Sequence, residues 1–362
     1  MVILGIETSC DETAASVVED GRKVLSHVLA SSADMHAKTG GIIPEVAARE
    51  QVKAILPVIN EAIENCKLKI ENLDAIAVTA GPGLIGSLLV GVETARTLAY
   101  VWNKPIVPVN HLVGHIYANW LVAGSTWHVE KPQATSYKPH APEFPALALV
   151  VSGGHTDLVL MTAHGKMKWI GGTRDDAAGE AFDKTARLLG LPYPGGPAIA
   201  AEAAKFEARN SKHEKLHMFP RPMMDEKNFD WSFSGLKTAV LRETEKLKNK
   251  KTKKLSGEEI SCLAAEIQEA IVDVLVTKTI RAVKKFKPQS LLLGGGVAAN
   301  QRLCEEFKLK IENLKLKINL HVPPPLLCTD NASYIAAAAY YNYKPVDWRK
   351  ITVKPELTIM GE

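Results

Sequence analysis

No apolar run in these 362 residues reaches the roughly 18 that a membrane helix needs, so no spanning segment is expected. Cysteine is sparse. Cys10, Cys66, Cys262, Cys304 and Cys328 are odd in number and far apart, with no Cys-x-x-Cys pair, which argues against a disulfide framework or a thiolate zinc site. The first residues, Met1 to Glu7, carry no basic leader and turn acidic at once; no signal peptide is read there, and the cytoplasm is the expected location. A Gly-x-x-x-x-Gly-Lys-Ser/Thr loop is also missing, which excludes a Walker-type ATPase. Neither sign of charge dominates: 44 Lys and Arg stand against 40 Asp and Glu, for a net +4. That balance permits a nucleic-acid partner without demanding one.

What is present is an α/β pattern that occurs twice. The length suits two domains or one repeated lobe. Val2 to Ile6 reads as a buried strand, followed by the polar turn Glu7 to Thr13 and strands at Ala14 to Val18 and Val24 to Ala30. Pro44 to Ile63 has helical periodicity, with Val46, Ile55, Ile59 and Ile63 on one stripe. A strand at Ala75 to Val78 runs into the glycine loop Gly81 to Gly86, a helix from about Ser87 to Trp102, and a strand at Ile106 to Val109. Residues 123–145 read as a linker or insertion. The pattern then restarts: strand Ala146 to Val151, turn Ser152 to Thr156, strand Asp157 to Thr162, and later strand Ser290 to Leu293, Gly294-Gly295-Gly296 and a helix from Asn300. Helices are expected over about Ala178 to Leu189, Pro197 to Ala208 and Glu258 to Phe286. The expected organisation is an N-terminal lobe at 1–122, joined by a C-terminal helix at 331–345 that packs back on it, and a second lobe at 146–330. A lysine-rich insertion, 246–254, reads as a solvated loop.

The chemistry concentrates in a few places. His111 and His115 are four apart at the start of a helix, so both imidazoles share one face and can share one metal ion. Zinc proteases with this spacing need Glu after the first His as general base; Leu112 stands here, so the pair suggests a metal site without peptidase chemistry. Asp330 precedes an alanine-rich helix, either as its N-cap or as a third, carboxylate ligand. Ser152-Gly153-Gly154 is a turn whose N–H groups suit a phosphate. Asn300 follows a glycine loop that would let a base or ribose lie against backbone, and Asp183 is placed to reach a ribose hydroxyl. Capping accounts for Asp175 or Asp176. Three matches are decoys: Gly81-x-Gly83-x-x-Gly86 lacks the acid of a dinucleotide site, Ser234-Gly235-Leu236-Lys237 lacks the companion motifs of β-lactamases, and Lys67 to Leu73 repeats at Lys308 to Leu314 without evident meaning.

Taken together and in order, Gly5 to Thr13, Gly81 to Gly86, Asn110 to His115, Val151 to Thr156, Asp175 to Lys184, Tyr193 to Pro197, Phe233 to Thr238, Gly294 to Asn300 and Asp330 to Ala332 resemble the tRNA adenosine threonylcarbamoyltransferases, called TsaD in bacteria. The insertions at 123–145 and 246–254 lie outside these motifs. The resemblance implies a duplicated, two-lobe fold of the actin, sugar-kinase and heat-shock-ATPase kind, with an interlobe nucleotide cleft. It implies a divalent iron or zinc ion on His111, His115 and Asp330, and an adenylate held by Val150, Val151, Ser152, Gly153, Gly154, Asp183, Gly196 and Asn300. The implied reaction moves a threonylcarbamoyl group from threonylcarbamoyl-AMP to N6 of adenosine 37 in tRNAs reading codons that begin with A. Asp11 and Glu12 are the candidates for its general base. Implied partners are tRNA, a degenerate TsaB-like paralogue and a small TsaE-like ATPase. Two other readings stay open from the residues alone: a small-molecule kinase of the same superfamily, which needs no histidine pair, and a non-catalytic nucleotide-dependent scaffold.

Overall fold

A computed structural model describes residues 1–32, 35–36, 41–123, 141–209, 218–247 and 254–361. Most of the proposed insertions at 123–145 and 246–254 lies outside these. Two compact units emerge: one of Met1–Phe144, Met161–Lys168 and Pro323–Glu362, the other of Pro145–Leu160 and Trp169–Val322.

In the first unit, β1 (Val2–Glu7), β2 (Glu12–Glu19) and β3 (Lys23–Ser31) form an antiparallel meander, and β4 (Ala75–Gly81) and β5 (Ile106–Asn110) extend it on the other side. β4 runs parallel to β1, and β5 parallel to β4; the order is β5-β4-β1-β2-β3, closed by the short β6 (Val122–Ala123). β4 is buried at every residue, as a central parallel strand covered on both faces must be. One face is covered by α1 (Pro44–Asn65) and α2 (Ile85–Val101). Pro44 starts α1 where a missing N–H costs nothing. The buried stripe of α1 is Ala47, Gln51, Ile55, Val58, Ile59 and Ala62. It is rotated from the expected one, because a buried polar residue, Gln51, belongs to it while Val46 and Ile63 sit at its rim.

The second sheet, β7 (Ala146–Val151), β8 (Thr156–Ala163), β9 (Lys166–Gly172), β10 (Ser290–Gly294) and β11 (Asn319–His321), takes the order β11-β10-β7-β8-β9 and belongs to the second unit except for Met161–Lys168. β10 is parallel to β7 and β11 to β10. Only a hairpin can join the neighbours β7 and β8 through the residues 152–155. The two sheets thus repeat one topology, the duplication expected from the sequence. Helices α4 (Ala178–Leu189), α5 (Gly195–Arg209), α6 (Ser234–Leu247), α7 (Gly257–Phe286) and α8 (Gln301–Asn313) complete this unit. α4 ends on Gly190 in the left-handed region, and α7 begins with the capping box of Ser256 and Glu259.

The boundary drawn at 330 moves. Residues 323–330 cluster with the first unit, because the helical turn Pro325–Cys328 leads directly into α9 (Ala332–Tyr341), which packs on β1 and β2. A Cβ on Gly5 of β1 would lie 2.3 Å from Ala332 O and 3.0 Å from Ala336 N, so only glycine permits that approach.

Candidate active site

Two short segments of the first unit bring three ligand-type side chains together. α3 (His111–Tyr117) begins directly after β5, with Asn110 as its N-cap: Asn110 Oδ1 accepts the Leu112 and Val113 N–H groups at 2.9 and 3.4 Å. α9 begins in the same way after Asp330. The cap there is Asn331, whose Oδ1 accepts from Ser333 and Tyr334 at 3.0 and 3.2 Å, so the capping role that the sequence left open for Asp330 falls to its neighbour. α3 and α9 pack closely at Gly114, where a Cβ would lie 2.6 Å from the Tyr334 ring. Asp330 Oδ1 consequently stands 3.5 Å from both His111 Nε2 and His115 Nε2, and the three ligand atoms all lie within 4.8 Å of one another.

These spacings fit a cation. Four bonds of about 2.1 Å in a tetrahedral array separate ligand atoms by about 3.4 Å. Two neutral imidazole nitrogens and one carboxylate oxygen are the donor set of an open two-His-one-carboxylate site, with positions left for substrate.

A further layer fixes His111. Glu7, fully buried, accepts from Ser9 N at 2.5 Å and from Thr79 Oγ1 at 2.7 Å, and its Oε2 stands 2.9 Å from His111 Nδ1. A carboxylate can only accept, so Glu7 keeps a proton on Nδ1, and Nε2, which faces Asp330, is the nitrogen that can take an ion in exchange for its own proton. Burial pushes the His111 imidazole down, but the charges of Glu7 and Asp330 and the Glu7 hydrogen bond outweigh it and lift it to about 9. Burial likewise pushes Glu7 up, yet His111, Thr79 and Ser9 together hold it below the usual carboxylate range. Asp330 is pushed up to about 6, mainly by burial, with Glu7 and Asp11 adding to it and His111 opposing. Tyr334, also fully buried, donates to Asp330 Oδ1 at 3.4 Å; burial and the nearby carboxylates keep its phenol protonated. Glu7 and Tyr334 were not among the expected site residues. The signal for Tyr334 was its place one helical turn after Asp330; for Glu7 it was an acid closing an otherwise apolar strand.

The turn after β1 carries Asp11 and Glu12. Gln51 Nε2 on α1 donates to Cys10 O at 3.1 Å and Glu12 O at 2.9 Å, and Ser87 Oγ on α2 donates to Cys10 O at 2.9 Å. Burial, the Asp11 hydrogen bond and the charge of Asp330 push Glu12 up to about 9. That shift disfavours ionised Glu12 and so counts against it as a base; its hydrogen-bond partner Asp11 is the other candidate on this turn.

The other expected residues gather in the second unit, at the carboxyl ends of parallel strands β7 and β10, where open α/β sheets bind ligands. Val150 and Val151 end β7, and Val150 pairs with Gly294. Ser152 and His155 close the next turn through Ser152 N to His155 O, 2.9 Å, and His155 N to Ser152 Oγ, 3.2 Å. The start of α4 docks on this turn, with Gly179 N donating to Ser152 O. A Cβ on Gly153, Gly154 or Gly196 would meet nothing within 4 Å, whereas one on Gly295 would strike Val151 O at 2.3 Å. Packing thus explains Gly295 but not the other three, whose Cβ positions face open space. Asp183 Oδ1 accepts Gly195 N at 2.7 Å at the start of α5. Asn300 caps α8 through Leu303 N, 2.9 Å, and donates to Gln268 Oε1, 2.9 Å. Both already serve the fold. Asp175 caps no helix of its own: it takes Ser232 Oγ, Phe233 N, Ser234 N and Ser234 Oγ, and so opens α6. Ser234 of the apparent Ser-x-x-Lys motif is part of that cap.

The family model described as TsaD, tRNA N6-adenosine threonylcarbamoyltransferase, matches residues 23–337. Curated proteins named tRNA N6-adenosine threonylcarbamoyltransferase are similar along nearly the whole chain. The one from Thermomicrobium roseum is 48% identical over 94% of this chain and 92% of its own, and that from Geobacillus thermodenitrificans 49% over 94% and 91%. The Dehalococcoides mccartyi protein is 47% identical over 95% and 94%. Among solved structures, component A of the Acidaminococcus fermentans (R)-2-hydroxyglutaryl-CoA dehydratase is similar with a TM-score of 0.49 and 15% identity, covering 94% of this chain and 98% of that one.

Proposed function

Since the chain belongs to the tRNA N6-adenosine threonylcarbamoyltransferase family, we propose that it transfers a threonylcarbamoyl group from threonylcarbamoyl-AMP to N6 of adenosine 37 in tRNAs reading codons that begin with A. The observation that carries this reading is the convergence of His111, His115 and Asp330 in a chain about half identical to such transferases. A kinase has no use for that trio, and a scaffold has no need to keep it.

His111, His115 and Asp330 would hold the ion, and Glu7 would hold His111 in the tautomer that binds it. Ferrous iron and zinc both suit this donor set. The bound ion would supply Lewis acidity to the carbamoyl or phosphate oxygen. In the second unit, the turn that follows Val150 and Val151 would receive phosphate on the N–H groups of Gly153 and Gly154 beside Ser152, and Gly196, Asp183 and Asn300 would border the nucleoside. N6 of adenine forms the new bond to the carbamoyl carbon, the carbon–oxygen bond to phosphate breaks, and AMP leaves with the electron pair. Asp11 would take the N6 proton. Because N6 is a weak nucleophile, alignment supplies much of the acceleration.

Among the described residues no helix is long and apolar enough to cross a membrane, and we place the reaction in the cytoplasm, with tRNA. TsaB-like and TsaE-like subunits belong in the assay. The test is to incubate the protein, those subunits, threonylcarbamoyl-AMP and unmodified tRNA, then digest the RNA and look for threonylcarbamoyladenosine. We expect the modified nucleoside with the native chain and its loss with His111→Ala. Product formation that is indifferent to His111→Ala and His115→Ala together would overturn the metal-assisted reading.

A further inference from the structure

Beyond α9 the chain forms no regular element, yet its backbone is tied down. Val346 N donates to Ile106 O on the edge strand β5 at 2.9 Å, and Lys354 N to Ala80 O at 2.7 Å. Pro355 O accepts Gly83 N at 3.1 Å, and Thr358 O accepts Asn110 Nδ2 at 2.7 Å. Ile351 and Ile359 are buried anchors, 4% and 3% exposed. This stretch lies past residue 337, where the family match stops.

Its contacts lead to the candidate cation site by two routes. In the first, the tail presses on the glycine loop: a Cβ on Gly81 would lie 1.9 Å from Lys354 O. That loop presses on the acidic turn from the other side, since a Cβ on Gly83 would lie 2.4 Å from Ser9 O, which also accepts Leu84 N at 2.8 Å. Ser9 in turn stands 3.2 Å from His111 Nδ1 and donates its N–H to Glu7. The second route is shorter. The Asn110 amide is held at both ends, with Oδ1 on the N–H groups of α3 and Nδ2 on Thr358 O. α3 spans seven residues, too few to be stable by itself, so its orientation depends on such anchors.

We propose that residues 351–361 are a strap that sets the geometry of the His111–His115–Asp330 site, with Asn110 as its positioning residue. This rests on the cation-site reading above. A ligand set already held in place pays less ordering entropy when the ion arrives, so detaching the strap weakens the ion without touching a ligand.

Zn2+ and Co2+ alone, titrated into the full chain against a chromophoric chelator, test this. Asn110→Ser keeps an oxygen that caps α3 but has no second arm for Thr358 O. Ile359→Ser withdraws a buried anchor of the strap that is not itself a ligand. Each is expected to weaken Zn2+ binding about tenfold and to change the intensity of the Co2+ visible bands, which report coordination geometry. Hydrogen exchange at Leu112 and Val113 should stay slow in Asn110→Ser, showing the cap intact. Native-like Zn2+ affinity and Co2+ bands in Asn110→Ser would overturn the strap, whether or not Ile359→Ser folds. If the native chain binds neither ion, the cation site and the strap fall together; native binding with indifferent variants overturns the strap alone.

Discussion

Replacing Glu7 by glutamine tests the hydrogen-bond logic behind the cation site, because the change conserves volume and removes only one acceptor and one charge. Three donors converge on this carboxylate: Ser9 N on Oε1, and Thr79 Oγ1 and His111 Nδ1 on Oε2. A glutamine offers one oxygen and one NH2. With the oxygen toward His111, the NH2 faces the Ser9 N–H, and a buried donor is left unsatisfied at a cost of about 1–3 kcal/mol. With the amide flipped, Thr79 can turn its hydroxyl to accept, but His111 must then accept at Nδ1. That moves its proton to Nε2, the nitrogen that should face the ion. Either arrangement penalises the bound state, and the negative charge that supported the ligand is gone as well. We expect Glu7→Gln to weaken Zn2+ binding by about 10- to 100-fold, equivalent to about 1.4–2.7 kcal/mol. Thr79→Val, which removes one donor and leaves the carboxylate, should cost less. The assay is chelator competition at one fixed pH, paired with thermal unfolding in the presence and absence of Zn2+. A Glu7→Gln protein that folds and binds Zn2+ within twofold of the native chain would refute the argument.

Other consequences are independent of that site. Gly154→Ala should leave the melting temperature nearly unchanged, since its Cβ enters open space, yet weaken binding of an AMP analogue more than tenfold if the turn cradles phosphate; calorimetry with the analogue decides. Asp175→Ala should destabilise the second unit by about 1 kcal/mol through loss of the α6 cap, read as a shift in urea midpoint. Burial holds His27 down to about 4, from an ordinary 6.5, so the unfolded chain takes up its proton first. Stability from this residue is complete above pH 6.5 and is lost as pH falls toward 4, up to about 3 kcal/mol. His27→Gln should flatten the urea stability profile across that window, and an unchanged slope would refute the assignment.

Strand and helix positions were legible where one physical rule governed them. Short apolar runs such as Ala146–Val151 and Ser290–Gly294 read as buried strands, and they are, pairing in parallel with each other. Local sequence failed where context chose between outcomes. Lys67 to Leu73 and Lys308 to Leu314 are the same seven residues. The first copy follows the end of α1, with Lys67 at a positive φ and a single helical turn at Ile70–Asn72; the second continues α8 to Asn313. The second copy inherits an amphipathic helix already nucleated at the Asn300 cap, with Leu303 and Phe307 buried, whereas the first must turn the chain into β4. The helix α6 was also missed, since its start signal is not its own: Asp175 supplies the cap from 59 residues away.

The candidate site divides along the same line. Ligand types and spacing are one-dimensional properties, so His111 and His115 could be paired from the chain, and Asp330 offered as a third. What sets their chemistry is three-dimensional. Glu7 chooses the His111 tautomer from a strand more than a hundred positions away, Tyr334 meets Asp330 only because α9 turns, and both depend on close helix approaches at Gly5 and Gly114. Glu12 makes the point most directly. As an acid on a polar turn it looked equal to Asp11, yet burial and its neighbours raise it to about 9, which disfavours its ionised form. Identity of residue indicates which groups are available for a reaction; the charge and water around each group decide whether it gives or takes.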